Sequence, residues 1–264
     1  MTRAPARAAQ TTTLALAAAT ALGGCGAAPI ESVSPRASDS DLLSGLLAHW
    51  PFDEKDGSTV IDHGPKGYNG VLAGTPTWDT TGGRFGGGLR LRSGDSVTIP
   101  FPDPMPPDWT VSVWVKLTDA EQAAFMMTDR AVLLSSELPG MGGWEIEFDP
   151  RPGFQYLEAS YYLSTANAYV ILECRCIEFD RWMQFTAVYD STTRFFSLYH
   201  DGRFLEKSMP LKGPSAGDSN LSIGRWIKDL RPLPGTIDDF AIWNRALNDD
   251  EIATLNARAV PELH

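Results

Sequence analysis

The sequence predicts an all-β protein, a two-sheet antiparallel sandwich of the jelly-roll kind with one short helix near its C-terminus. Three observations support this fold class. More than ten short segments rich in β-branched and aromatic residues follow one another along the chain. Turn-forming residues are abundant, with 24 glycines and 19 prolines. No helical pattern lies between the segments, which excludes a parallel sheet built from strand–helix–strand units.

The candidate strands show the period of two that sheet residues follow. In segment 110–117, Val111, Val113 and Val115 fall on one face and Ser112 on the other, as expected of a half-buried strand. The full set of candidate strands is 46–52, 69–73, 88–92, 96–100, 110–117, 131–136, 143–148, 154–163, 182–190, 194–200, 203–209, 220–224 and 235–244.

Two turns between these strands have a clear sequence pattern. Asp201-Gly202 separates two candidate strands by two residues that tolerate positive φ, which is the strongest local signal of a β-hairpin. Residues 82–90, GGRFGGGLR, lie between strands with no helix start to bind a phosphate. We therefore interpret them as a sharp turn where backbone segments pack closely.

One helix is predicted after the last strand. Asn248 is a suitable N-cap, and Glu251 three residues later completes a capping box. Leu247 and Ile252 are spaced as a hydrophobic staple, and Ile252 with Leu255 forms a narrow apolar stripe. The helix should therefore lie as a short lid on the sandwich.

The charge balance excludes one class of partner, and the motifs exclude several classes of enzyme. The chain has 22 Lys and Arg against 33 Asp and Glu, a net charge of −11, so nucleic-acid binding is not expected. The sequence contains no P-loop, dinucleotide-binding fingerprint, G-x-S-x-G elbow or HExxH motif.

The N-terminal segment has the pattern of a secretory signal. Residues 1–10 carry two arginines and no acid, and a short apolar run follows that is too short to span a bilayer. The residues Leu22-Gly23-Gly24-Cys25 resemble the lipobox of bacterial lipoproteins. That resemblance implies removal of residues 1–24 and lipid attachment to Cys25; an ordinary cleaved signal with Cys25 as a bystander is the alternative.

A lipid anchor would hold the mature protein at the bacterial cell envelope without spanning the membrane. Gly26 stands where inner-membrane retention signals usually place Asp, so the resemblance favours the outer membrane. Residues 25–44 are then the lipidated cysteine and a flexible tether, 45–258 the folded domain and 259–264 a tail.

Five separated segments resemble the laminin G-like domains of the concanavalin A-like lectin/glucanase superfamily. They are LLAHWPFDEKDGSTVIDHGPKGYNGVLAG, TWDTTGGRFGGGLRLRSGDSVTIP, WTVSVWVKL, FDRWMQFTAVYDSTTRFFSLYHDGRFL and TIDDFAIWNRALNDDEIATL. The resemblance spans residues 45–258 in the order that the family uses. It implies two stacked antiparallel sheets, often a structural calcium ion at the rim, and a binding role that is frequently directed at glycans.

The resemblance also places a candidate calcium site. In related jelly rolls the ion ties the N-terminal strand to the closing strand, and Asp53, Asp62 and Asp238 occupy the acidic positions of those motifs. Calcium prefers six to eight oxygen ligands from carboxylates, carbonyls and water. The alternative is that Asp62 caps a turn and Asp238 faces solvent.

A second acidic pattern lies on one predicted strand. Glu145, Glu147 and Asp149 alternate and share a face, and the arrangement resembles the Glu-x-Asp-x-Glu catalytic strand of laminarinase-type glycosidases. Glu147 stands where the aspartate belongs and Asp149 where the acid/base glutamate belongs. Because the shorter side chain moves the proton donor by more than about one ångström, a plain hairpin strand is favoured over an active site.

Cys174 and Cys176 are the cysteines left after the signal. On a strand their Cα atoms would lie about 6.5–7 Å apart, at the upper limit for a disulfide. Three interpretations stay open, namely a strained disulfide, two thiols, or half of a metal site.

Aromatic residues near predicted loops or strand ends are candidate sugar platforms. These are Trp78, Trp109, Tyr161, Tyr162 and Trp226. Tryptophans inside predicted strands are assigned to the core or the sheet cover, and these are Trp50, Trp114, Trp144, Trp182 and Trp243.

Together these observations predict a non-enzymatic, envelope-anchored binding domain for carbohydrate or another surface polymer. The first alternative is a structural or adhesion module that binds a protein partner. The second is a glycoside hydrolase that uses the Glu145 strand.

Overall fold

The computed structural model describes most of the chain after its N-terminal segment. The described ranges are 37–92, 94–101, 105–118, 131–136, 143–149, 156–163, 168–211, 220–225 and 233–263. All lie within one compact unit, Pro35–His264. The predicted signal peptide, Cys25 and most of the predicted tether lie outside these ranges. Within them, no helix combines the length and the hydropathy that a membrane span requires.

The described elements are strands, with one short helix at each end. The helices are α1 (Asp39–Leu43) and α2 (Asp249–Ala257). The strands are β1 (Leu46–Trp50), β2 (Thr59–Val60), β3 (Gly70–Ala73), β4 (Thr77–Asp79), β5 (Gly88–Leu91), β6 (Ser96–Pro100), β7 (Trp109–Leu117), β8 (Ala131–Ser135), β9 (Gly143–Asp149), β10 (Tyr156–Leu163), β11 (Ala168–Cys174), β12 (Trp182–Asp190), β13 (Phe195–His200), β14 (Arg203–Lys207), β15 (Asn220–Ile223) and β16 (Gly235–Trp243).

The strands form two antiparallel sheets. The first sheet has the order β14-β13-β12-β7-β16-β5-β4, with β1 paired to β16. The second has the order β11-β10-β9-β8-β15-β6-β3-β2. The predicted all-β, two-sheet sandwich is therefore confirmed, and the long non-sequential connections are those of a jelly roll. Strands β2, β4 and β11 were not predicted, because two of them are only two and three residues long.

The main core lies between the two sheets. Val111, Val113 and Val115 of β7 are all fully buried in it, as their alternation predicts. Trp109 packs its ring against Trp144 with the centroids 5.5 Å apart. Burial of these aromatic and branched side chains between the sheets is the main source of the stability of the sandwich.

A second apolar cluster covers the outer face of the first sheet. Ile252 and Leu255 of α2 pack there against Trp243. The capping box of Asn248 and Glu251 forms as predicted. Strand β7 is buried on both faces along nearly its whole length, not on one face as its sequence pattern predicts. The covered polar residues bond to one another, as in the 3.0 Å hydrogen bond from Thr186 to Ser112.

The domain begins earlier than the sequence predicts. Leu42 of α1 is fully buried in the cluster under α2, and its carbonyl accepts a 2.6 Å hydrogen bond from the Trp243 indole. Arg245 donates to the carbonyls of Asp41 and Ser44. Residues 39–43 thus belong to the folded domain and not to the tether, because they supply an apolar side chain that the sequence pattern did not single out.

Candidate binding site

The glycine-rich turn between β4 and β5, residues 82–88, is held by two aspartates, one from the loop after β1 and one from β16. Asp53 Oδ1 accepts a 2.5 Å hydrogen bond from the Gly87 amide. Asp238 Oδ2 accepts a 2.8 Å hydrogen bond from the Phe85 amide. A Cβ atom on Gly83 would lie 1.5 Å from the Gly87 carbonyl oxygen, so the backbone packs closely enough to require glycine. The predicted sharp turn is confirmed.

Asp238 is a fully buried carboxyl group. It is 0% exposed, and its Oδ1 atom has no hydrogen-bond partner. Burial, with a smaller contribution from the neighbouring Asp239, raises the pKa of Asp238 to about 8, although the amides of the glycine turn oppose the shift. The alternative that Asp238 faces solvent is wrong.

Asp62 has a different role from Asp53 and Asp238. Its Oδ1 accepts hydrogen bonds from the amides of His49 at 2.8 Å and Gly64 at 2.7 Å, and its Oδ2 accepts one from Tyr68 at 2.7 Å. These contacts are those of a carboxylate that caps a turn, which is the alternative that the sequence left open.

The predicted three-aspartate set does not form one cluster. In the described part of the chain, no group of three or more His, Cys, Asp or Glu side chains is arranged to hold a metal ion. Asp53 and Asp238 nevertheless lie against the same glycine turn. The unpartnered, fully buried oxygen of Asp238 is a ligand type that suits a calcium ion, with further oxygens from backbone carbonyls or water.

The acidic side chains of β9 lie on the outer face of the second sheet. Trp144, Ile146 and Phe148 enter the core, so Glu145, Glu147 and Asp149 share the opposite face as predicted. Glu147 is directly paired with Glu158 of β10. The three β9 carboxylates are only 3–4% exposed, so this face does not open onto bulk water.

Cys174 and Cys176 are joined in the structure by a disulfide, with their Cα atoms 5.2 Å apart. This separation is shorter than that of two residues on one face of a regular strand. The reason is that β11 ends at Cys174, so Cys176 lies outside the extended strand.

Of the five predicted sugar platforms, two are buried, one is half-buried, and two have side chains outside the described residues. Trp109 and Tyr161 are buried in the core, and neither can contact a ligand from solvent. Trp78 is half-buried and donates a 3.0 Å hydrogen bond to the Gly57 carbonyl. The side chain of Tyr162 and the whole of Trp226 lie outside the described residues.

An open cleft lies instead on the outer side of the first sheet, where the glycine turn, the β13–β14 hairpin and α2 meet. It consists of two adjoining cavities of about 350 and 560 Å³ that share Arg181, Asp201 and Asn256. We call it the arginine cleft. Its other described lining residues are Arg84, Trp114, Trp182, Glu178, His200, Arg203, Phe204 and Leu205.

One wall of the arginine cleft is a guanidinium group held against two aromatic rings. The Arg84 guanidinium lies 4.7 Å from the centroid of Phe85 and 4.6 Å from that of Trp114. The two rings meet edge to face, with their centroids 5.8 Å apart. Arg84 covers the indole of Trp114, which is only 3% exposed. The Nε1 atom of Trp114 has no hydrogen-bond partner.

The opposite wall is organised by ion pairs. Arg181 donates to Glu178 Oε1 at 2.9 Å and to Asp201 Oδ2 at 2.6 Å. Asp201 is the first residue of the predicted hairpin turn, with φ of 48°, and Gly202 follows with φ of 72°. The predicted hairpin is therefore confirmed, and its aspartate fixes the arginine. His200 stacks on Phe185 at 5.0 Å, and burial lowers its pKa.

Comparison with known families decides the classification. Residues 91–253 match the model of the concanavalin A-like lectin/glucanases superfamily. The chain belongs to this superfamily. The resemblance to laminin G-like domains is thereby confirmed, and the superfamily contains both lectins and glucanases. A comparison with curated proteins found no match.

Solved structures with the same fold include receptor-binding domains of botulinum neurotoxins. The serotype D binding domain has a TM-score of 0.63 at 15% identity, covering 81% of this chain and 52% of that one. A serotype D ligand-binding domain in complex with N-acetylneuraminic acid gives 0.64 at 15%, covering 83% and 52%. The type G receptor-binding domain gives 0.59 at 13%, covering 81% and 51%. The chain spans about half the length of these structures, and the likeness concerns the lectin-like fold.

The superfamily resemblance did not point to the arginine cleft. The sequence pattern assigns Trp114 and Trp182 to the core or the sheet cover and places Arg84 in a turn. A usable signal was present, since both tryptophans occupy even-numbered, outward positions on strands that prove to be neighbours. Their proximity depended on the non-sequential pairing of β7 with β12, which the sequence does not show.

Proposed function

We propose that this protein is a non-enzymatic carbohydrate-binding domain and that the arginine cleft is its glycan-binding site. The observation that supports the proposal most is the half-buried indole of Trp182 in the same cavity as the Arg84 guanidinium, which lies against Phe85 and the covered ring of Trp114. Sugar sites combine an aromatic surface with a few fixed polar groups. Asn256 and the Arg181–Asp201 pair supply such groups on the opposite side of the cavity.

The size of the cleft agrees with this proposal. The cavity beside Trp114 has a volume of about 350 Å³, at the lower end of the range for small-ligand sites. The adjoining cavity continues past Arg203 and Phe204. A short oligosaccharide would therefore occupy both cavities, with one sugar residue against Trp182.

A glycan array probed with the full chain tests the proposed function. We expect a defined set of glycans to bind, and substitution Trp182→Ala to weaken that binding about two- to tenfold, since aromatic ring contacts are worth about 0.5–1.5 kcal/mol. Arg92→Ala is the matched control, because Arg92 is exposed and its guanidinium contacts only Thr77 outside the cleft. An array without any bound glycan, together with a stable complex with a protein partner, would replace this proposal by the adhesion alternative.

Glycoside hydrolysis at β9 is a second candidate function. The face shared by Glu145, Glu147 and Asp149 favours it, but the order of Asp and Glu differs from the glycosidase pattern and all three are buried. The expected result is that no β-glucan is hydrolysed. Release of reducing ends that is lost in Glu145→Gln would establish the enzyme instead.

We also propose that calcium, as the family resemblance implies, is held by Asp238 and Asp53 beside the glycine turn. Bound calcium would neutralise the buried Asp238 carboxylate and fix the turn that carries Arg84. Calcium in the millimolar range should raise the melting temperature relative to chelator for the wild type and not for Asp238→Asn, because an ion bound only to the folded state must stabilise it. Equal melting temperatures in calcium and chelator would refute this.

Display at the bacterial cell envelope completes the proposal. The lipobox-like residues before Cys25 support a lipid anchor at the outer membrane. The wild-type protein should partition into detergent and gain the mass of a diacylglyceryl group, and Cys25→Ser should do neither. A wild-type protein recovered without lipid would leave an ordinary cleaved signal as the explanation.

A further inference from the structure

We infer that the arginine cleft recognises an acidic sugar, a glycan residue whose carboxylate pairs with the guanidinium of Arg84. This inference rests on the proposed function and names the ligand class of the same site.

The charge of the cleft differs from the charge of the whole chain. The chain has 33 acidic against 22 basic residues. Among the described residues that line the cleft, arginine outnumbers carboxylate, with Arg84, Arg181 and Arg203 against Glu178 and Asp201. A patch of reversed sign inside an acidic protein indicates an anionic ligand.

The positive charge is not spread evenly along the cleft. Arg181 binds both Glu178 and Asp201, so its positive charge is fully compensated and the three groups together carry a net charge of −1. Arg84 forms no ion pair with any residue in the described ranges. Arg84 is therefore the unpaired guanidinium in the cavity beside Trp114 and Trp182, while Arg203 lines the adjoining cavity.

The Arg84 side chain is already ordered for binding. Its turn is fixed by the hydrogen bonds to Asp53 and Asp238, and its guanidinium lies over Phe85 and Trp114. One face of the guanidinium lies against the rings, and Arg84 is otherwise exposed, so its N–H donors are available to a partner. Little side-chain entropy is lost when a ligand binds such a preorganised arginine.

A carboxylate fits this site better than a phosphate monoester. The planar guanidinium fork matches the two oxygens of a carboxylate. In the cavity beside Trp114 the unpaired Arg84 guanidinium balances one negative charge, whereas a dianion would also meet the carboxylate of Asp201 in that cavity. Trp182 and Asn256 remain to contact the rest of the sugar ring, and these contacts have no counterpart in a simple anion site.

The test compares acidic oligosaccharides with their methyl esters and uses the full chain in titration calorimetry. The probes are an oligogalacturonide and sialyllactose, each beside its methyl ester, with lactose as the neutral probe. We expect at least one acid to bind and its methyl ester to bind about ten- to a hundredfold more weakly, since the ester loses a charge-assisted hydrogen-bond pair.

Variants at Arg84 locate the effect. Arg84→Gln should lower the affinity for the acid to that for the ester, and Arg84→Lys should give an intermediate value because it keeps the charge without the planar fork. Arg92→Gln is the control and should change nothing. A melting temperature of Arg84→Gln close to that of the wild type shows that the variant is folded. If it is not folded, the affinity of Arg84→Lys for the acid and the ester is the measurement that tests the role of Arg84.

The outcomes separate this inference from the proposed function. Equal affinity for acid and ester, or binding of neutral glycans alone that is sensitive to Trp182→Ala, would overturn the acidic ligand and leave the carbohydrate site in place. Acid binding that is unchanged in Arg84→Gln would overturn the role of Arg84. Absence of binding to these probes and to every glycan of the array would overturn both.

Discussion

Asp238 accepts a 2.8 Å hydrogen bond from the backbone amide of Phe85, and this contact ties the closing strand β16 to the glycine turn. Phe85 in turn supports the Arg84 guanidinium at 4.7 Å. A buried carboxylate on one strand thus determines where a cleft arginine lies. The stability of the turn and the shape of the cleft should therefore depend on the same ionisable group.

The first prediction concerns the pH dependence of stability. The pKa of Asp238 is raised to about 8 in the folded protein, above its ordinary value of 3.8. Between about pH 4 and pH 8 the folded state therefore holds a proton that the unfolded state has lost. The contribution of Asp238 to the free energy of unfolding is thus full below pH 4 and is lost as the pH rises to 8. In chelator, the free energy of unfolding should fall by about 2–4 kcal/mol more between pH 5 and pH 8 than in Asp238→Asn.

Urea unfolding of both proteins at these two pH values measures the difference. Asp238→Asn is a suitable comparison because the amide keeps the shape and an acceptor for the Phe85 amide but cannot ionise. Parallel pH profiles for the two proteins would show that Asp238 titrates normally.

The second prediction concerns the glycine turn. In Gly83→Ala the new methyl carbon would lie 1.5 Å from the Gly87 carbonyl oxygen, so the backbone must move. We expect a loss of stability of about 3 kcal/mol or more and weaker glycan binding, because Arg84 moves with the turn. Gly57→Ala is the control: its added carbon meets nothing within 4 Å, and only the positive φ of 91° costs about 1 kcal/mol. Equal melting temperatures for the two variants would mean that the turn is loosely packed.

The strands and the terminal helix could be predicted because their signals are local. The pattern of β7 and the capping box of Asn248 and Glu251 depend on neighbours along the chain. Pairing between distant strands is not local, so the sequence predicts that α2 lies as a lid on the sandwich but not that it packs against Trp243 on the first sheet. The same limit explains why Trp109 was expected near a ligand although it lies in the core.

The candidate site was less predictable than the fold. Asp53 and Asp238 were identified because they belong to family motifs, but the different role of Asp62 depends on three backbone amides brought together by folding. The arginine cleft joins residues from five parts of the chain, and each looks ordinary in its own segment. Arg84 is distinguished only by the rings that it meets in the folded protein.

The third prediction concerns Cys174 and Cys176. In the unfolded protein without reductant, iodoacetamide should label neither of these two cysteines. After reduction it should label both, and intact mass spectrometry measures the added mass. Because the disulfide closes a loop with a sequence separation of 2, its reduction should lower the free energy of unfolding by less than about 2 kcal/mol. Labelling of both residues without reductant would establish two thiols.

The fourth prediction tests the early start of the domain. Leu42 is fully buried beneath α2 and its carbonyl accepts a hydrogen bond from Trp243, whereas the adjacent Leu43 is only half-buried. Leu42→Ala should lower the free energy of unfolding by about 2–4 kcal/mol, the range for removing a core leucine, and Leu43→Ala by about 1 kcal/mol or less. Chemical denaturation of the two variants measures both values. If the two substitutions had the same small effect, α1 would not be part of the cooperative domain and the tether would extend to residue 44, since a flexible segment gains nothing from either leucine.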